Sequence, residues 1–172
     1  MEYRVELWYN IDITRELWEK MGLKTGSAES TLDDKGRVTI PVRFREYYQG
    51  GLVIAWGTER CALVMTAAEW ERYEQDLRER SLKKLNFEQW EKLENKMINQ
   101  AQDAELDKAG RIAIPLTLRK YANLTRDCVV INGKNRLSIW DSGVFEAYLA
   151  ENDAVTRDSM NKLYSPNISP ES

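Results

Sequence analysis

Two short runs carry the chemistry this chain can offer. LDDKGRVTIP occupies Leu32–Pro41, and LDKAGRIAIP occupies Leu106–Pro115, 74 positions later. Each sets an aspartate four residues before an arginine, with a glycine just ahead of the arginine. Asp33 and Asp107 can accept backbone N–H bonds and open an Asx-type turn. Gly36 and Gly110 stand where such a turn needs positive φ, which glycine adopts without a Cβ clash. Asp33 can then face Arg37, and Asp107 can face Arg111, across the loop. A pair of this kind stiffens a hairpin and needs no other role. The same geometry also holds a guanidinium at a fixed angle, beside Lys35 or Lys108. There it can bridge a phosphate, or the O6/N7 edge of guanine, through two parallel N–H bonds. The carboxylate would hold the productive rotamer and reduce the entropy lost on binding. A two-stranded ribbon is narrow enough for a DNA major groove.

Charge and composition narrow the choice. The 172 residues carry a net charge of −3, with 42% hydrophobic and 31% charged residues. A nucleic-acid binder is more often basic. A local positive face matters more than the sum, however. Glu105 to Arg126 holds two acids against five bases: Lys108, Arg111, Arg119, Lys120 and Arg126. The first unit is nearly balanced, with Asp33, Asp34 and Glu46 offsetting Lys35, Arg37, Arg43 and Arg45. Histidine is absent, which removes the commonest general base and metal ligand. Cys61 and Cys128 each lie in an apolar run and read as buried free thiols, which suits a reducing compartment. There is no P-loop, G-x-G-x-x-G or Cys-x-x-Cys motif. No enzyme activity, cofactor, metal or small-molecule substrate is expected. No run reaches the roughly 18 apolar residues of a membrane span, and the N-terminus lacks a signal-peptide pattern.

The elements that must position these turns also repeat. Residues 1–25 read as an extension with an alternating strand and a short helix. In the first unit, VRFREYY predicts a helical turn after Pro41. GLVIAW and CALVM predict strands joined by a hairpin at GTER. Thr66 and Glu69 have capping-box spacing, and Trp70, Tyr73 and Leu77 form one apolar stripe. Asn86 and Gln89 repeat the capping spacing before Trp90, Leu93 and Met97. In the second unit, LTLRKYA answers VRFREYY, which sets Arg119 on Arg45. VVINGKNRLSIW answers VIAWGTERCALVM, and Phe145 and Tyr148 answer Trp70 and Tyr73. The units are therefore expected at 26–82 and 100–151, with a connecting helix at 83–99 and a flexible polar tail at 152–172.

The doubled motif, each copy followed by a hairpin and a Trp- or Phe-bearing helix, resembles the MraZ family of bacterial transcriptional regulators. GSAESTLDDKGR, from Gly26, matches that family's usual start. The resemblance implies an α+β fold. It would be built from tandem SpoVT/AbrB-like repeats, each a swapped-hairpin half-barrel, intertwined as an intrachain pseudo-dimer with flanking helices. It also implies a cytoplasmic, nucleoid-associated homo-oligomeric ring of roughly eight or more subunits. Such a ring binds short direct repeats in the promoter of the division and cell wall gene cluster. A weakly basic rim repeated around a ring makes a strong local field. The family's Asp-x-x-x-Arg motif carries over to Asp33 with Arg37 and to Asp107 with Arg111. Lys35, Lys108, Arg43, Arg45 and Arg119 are the expected phosphate contacts. Two departures stand out: the extra residues before Gly26, and a lysine that moves one step between Lys35 and Lys108. The alternative is a non-enzymatic interaction or assembly module that uses the same ring.

Overall fold

A computed structural model describes residues 26–133 and 135–164. The strand and helix expected in residues 1–25 lie outside the described residues. The first repeat supplies β1 (Gly26–Thr31), β2 (Arg37–Thr39), α1 (Val42–Arg45), β3 (Leu52–Trp56), β4 (Ala62–Thr66) and α2 (Ala67–Lys84). After α3 (Phe87–Met97) come β5 (Gln102–Ala104), β6 (Arg111–Ala113), α4 (Leu116–Tyr121), β7 (Asp127–Asn132), β8 (Leu137–Asp141) and α5 (Ser142–Tyr164). The architecture is α+β, with antiparallel pairing throughout.

The repeats exchange strands. A six-stranded sheet runs β1-β7-β8-β4-β3-β5, and β2 forms a separate two-stranded sheet with β6. β1 lies along β7 of the other repeat, with Gly26 opposite Asn132 and Thr31 opposite Asp127. In the same way β5 lies along β3. Each β3–β4 or β7–β8 hairpin is local, and β4 joins the two through β8.

Strand alternation divides the buried side chains between two faces. Val38, Ile40, Phe44, Ile54 and Val64 meet Ile112, Ile114, Leu118, Val130 and Ile139 in one core. The intervening Leu63, Met65 and Trp140 face the other way, under Trp70 and Tyr73 of α2 and Phe145 and Tyr148 of α5. This two-sided burial explains why the hairpin strands read as continuous apolar runs.

The helices start where the sequence places caps. The Thr66 Oγ1 accepts from the Glu69 amide at 3.3 Å, and Glu69 returns a bond to the Thr66 amide. Asn86 and Gln89 do the same for α3. Asp141 takes that part for α5, its Oδ1 accepting from the Gly143 and Val144 amides. The charged run Arg78–Lys84 forms the last turns of α2.

One expectation is overturned at the other end. Asn152 to Tyr164 is helix, not flexible tail. Its polarity comes from acid–base pairs at i,i+4 spacing, Asp153 with Arg157 and Asp158 with Lys162, which support a solvated helix. The stretch holds neither glycine nor proline, so nothing local stops it.

Candidate nucleic-acid interface

Each Asp–Arg turn is closed by the same bonds. The Gly36 amide donates to the Asp33 carbonyl, and the Gly110 amide donates to the Asp107 carbonyl. The Asp33 Oδ1 accepts from the Lys35 and Arg37 amides at 3.0 and 2.9 Å. Its Oδ2 accepts from the Arg37 Nε at 2.7 Å, and the Arg37 Nη2 also lies 2.7 Å away. Asp107 repeats the pattern with the Ala109 and Arg111 amides and with the Arg111 Nε at 2.8 Å. These bonds lower both carboxyl pKa values. For Asp33 the side-chain bond from Arg37 contributes most, and for Asp107 the backbone bond from Arg111.

The turns do not continue into the hairpin ribbons the sequence suggests. After one bridge, Leu32 with Val38, β1 departs to β7 and β2 departs to β6. The reason is burial: pairing β2 with β6 sets Val38 opposite Ile112, both fully buried. Alternation then puts Arg37, Thr39 and Arg111 on the opposite, outward face. Arg37 and Arg111 keep 27% and 33% of their side chains exposed, so neither is turned into the core.

Strand exchange brings the two turns together. The Arg37 Nη1 lies 3.9 Å from the Asp107 Oδ2, and the Arg111 Nη1 lies 3.8 Å from the Asp33 Oδ2. Four alternating charges thus form a tetrad across the repeats. The carboxylates engage the Nε side of the guanidinium groups. Each Nη1 also faces the other repeat's aspartate, so the N–H groups on Nη1 and Nη2 that point away from both carboxylates are what each arginine can offer a ligand. Because the tetrad is neutral, net attraction for an anion must come from the cations around it.

Those cations are arranged crosswise. The Arg45 Nε donates to the Ile40 carbonyl at 2.6 Å, and its side chain lies across Gly110 of the other repeat. A Cβ at Gly110 would stand 2.2 Å from that Nε. Arg119 mirrors this: its Nε donates to the Ile114 carbonyl at 3.0 Å, and its guanidinium covers Gly36. Gly36 and Gly110 have φ of +77° and +74°, so glycine is needed both for the backbone and for the arginine above it.

A groove flanks the tetrad on each side. One, of about 450 Å³, is lined by Arg45, Gln49, Gly50, Glu105, Asp107 and Lys108. The other, of about 670 Å³, is lined by Thr31, Asp33, Asp34, Arg119, Thr125 and Arg126. Lys35 and Lys108 are exposed at the turn tips. Arg43 is not brought into this group: its Nη2 donates to the Ser27 carbonyl at 2.6 Å, toward the far end of β1. Arg126 is not among the residues expected in the site, although its charge adds to the basic stretch of the second unit. Only the fold brings it to the groove of the first turn.

Among the described residues, no group of His, Cys, Asp or Glu side chains is arranged to hold a metal. None of their helices is long and apolar enough to cross a membrane.

Relatives share this doubled pattern. The family model described as "MraZ protein, putative antitoxin-like" matches residues 23–92 and again 97–163. The chain is 43% identical over 124 residues to "Transcriptional regulator MraZ" of Frankia alni, covering 72% of this chain and 85% of the relative. It is 41% identical over 128 residues to the protein of the same name in Parafrankia sp., covering 74% and 87%. A Micrococcus luteus relative with that name is 38% identical over 129 residues, covering 75% and 88%. With both repeats matched and relatives this similar over most of their length, the chain belongs to the MraZ family.

Proposed function

We propose that this protein is a transcriptional regulator that binds double-stranded DNA through the face bearing the tetrad. The observation that carries this is the meeting of both Asp-x-x-x-Arg turns on one surface. Arg37 and Arg111 lie there on the outward side of β2–β6, ringed by Lys35, Lys108, Arg45 and Arg119. The guanidinium edges left by the aspartates suit base edges or phosphate oxygens. The surrounding lysines and arginines supply the net charge that a neutral tetrad lacks. The names of the relatives point the same way.

The finer picture is proposed with it. Strand exchange between the repeats supports a swapped-hairpin, AbrB-like pseudo-dimer within the chain. Several subunits closed into a ring would set successive turn pairs on short direct repeats in the promoter of the division and cell wall gene cluster. The protein would then act in the cytoplasm, on the nucleoid. A modest site repeated many times binds strongly through effective concentration.

A second reading has one observation in its favour. Each turn arginine already has its own aspartate, so the tetrad could serve only to clamp the repeats for an assembly role.

The double variant Arg37→Ala with Arg111→Ala separates the two. The expected result is loss of binding to a duplex carrying that promoter region, with assembly size unchanged by light scattering. Unchanged DNA affinity in intact assemblies would refute the proposal and leave the assembly reading.

A further inference from the structure

The near-twofold relation between the turns is broken at their tips. In the turn Asp33–Gly36 the middle residues are Asp34 and Lys35, whereas in Asp107–Gly110 they are Lys108 and Ala109. One and the same turn position is therefore an acid in the first repeat and a base in the second. All four residues are exposed. The first tip sums to zero charge and the second to one positive charge.

The grooves are also unequal. Leu52 faces Thr66 across its hairpin as Cys128 faces Asp141, which makes Gly50 the counterpart of Arg126. Beside the second turn the groove wall is Gln49 and Gly50, and the cation besides Arg45 is Lys108 on the tip. Beside the first turn the groove is lined by Asp34 of a tip that Lys35 leaves neutral, and the cation besides Arg119 is Arg126 on the facing wall. The two grooves thus carry their spare cation on opposite sides.

We infer that the two turns meet DNA unequally, so that each subunit lies on the duplex in one orientation. Lys108 rests against the phosphate backbone, and Asp34 is held away from it. The inference rests on the DNA-binding function proposed above. A carboxylate against a phosphate is repelled, and an ammonium there releases a counterion. Both tips carry a lysine, but Asp34 offsets Lys35, so only one of the two ways round sets the net-positive tip on the polyanion. Arg126, set back across the groove, leaves the first turn room to approach a base edge instead, where a carboxylate can accept from the cytosine amino group.

The test uses the full chain and a duplex that this chain selects from a randomised pool. Affinity is measured over a salt series for Lys108→Gln and for Asp34→Asn. The first should lower the salt slope by about one, and the affinity about tenfold, for each subunit engaged on the duplex. The second should leave the slope unchanged. A gain from Asp34→Asn as large as the loss from Lys108→Gln would overturn the inference, since both tips would then face phosphates.

A second readout reports orientation directly. Thr31→Cys and Glu105→Cys occupy matching places just before the turns, and each can carry an iron chelate that cuts nearby DNA. The native thiols are buried, and burial pushes Cys61 up to about 12 and Cys128 up to about 11, so the added cysteine reacts first. The two probes should give distinct patterns, each offset to one side of a contacted repeat. Identical patterns would overturn the single orientation while leaving DNA binding in place. Failure of the unaltered chain to select any duplex would overturn the function itself, and this inference with it.

Discussion

The first and second turns are built alike where the backbone makes demands and differ where it makes none. Both use an aspartate to bind two amides and an arginine Nε, and both place glycine beneath an arginine from the other repeat. Between those fixed points the tips read Asp34-Lys35 and Lys108-Ala109. Backbone bonds, positive φ and a crowded glycine leave few residue types that fit. An exposed turn tip leaves many. Within this site, sameness marks what holds the tetrad together, and difference marks what is free to serve a partner.

The largest effect should come from the shared core under the turns. Phe44 and Leu118 occupy matching positions and are almost fully buried. Phe44→Ala should cost about 3–5 kcal/mol and Leu118→Ala about 2–5 kcal/mol, measured by chemical denaturation. A large cost in one repeat and a negligible one in the other would break the equivalence of the two halves.

The crosswise packing comes next. Gly110→Ala must adopt a left-handed backbone and displace Arg45, so a loss of about 1–3 kcal/mol is expected. Arg45→Ala in the same chain should recover part of that loss, because one partner of the clash is gone. Gly36→Ala with Arg119→Ala should behave the same way. Strictly additive losses would mean that the arginines do not rest on the glycines.

The carboxylates should show a smaller, pH-dependent effect. Asp33 and Asp107 titrate below the ordinary value of 3.8 in the folded chain. Their contribution is therefore present above that value and is lost as pH falls through the depressed one. A chain with Asp33→Asn and Asp107→Asn should lose stability less steeply on acidification below about pH 4 than the unaltered chain. Equal acid slopes would show that the carboxylates do not favour the folded state.

Much of this was legible because it is local. The Asp–Arg pairs and the Thr66–Glu69 and Asn86–Gln89 caps follow from spacing within a few residues, and the match of Arg45 with Arg119 follows from the repeat. What was not legible is long-range. Nothing near Gly26 says that β1 will pair with β7, where Ala28 comes to lie opposite Val130 and packs on the core that buries Val38 against Ile112. The same pairing diverts β1 from β2 and so removes the expected ribbon. It also carries Arg45 to Gly110 and Arg126 to the first turn. Arg43, next to Phe44 in α1, is expected among the phosphate contacts, but its guanidinium donates to the Ser27 carbonyl of β1. The helix through Tyr164 is polar enough to read as a tail, and only its i,i+4 acid–base pairs mark it as helix.

The central claim is that the two arginines act as one unit on DNA. A thermodynamic cycle tests it most directly: DNA affinity of Arg37→Ala, of Arg111→Ala and of both together, at one fixed salt concentration. A shared unit predicts strong coupling, with either single change losing nearly as much as the double. Independent, additive losses, or no loss at all in the double variant, would contradict the account.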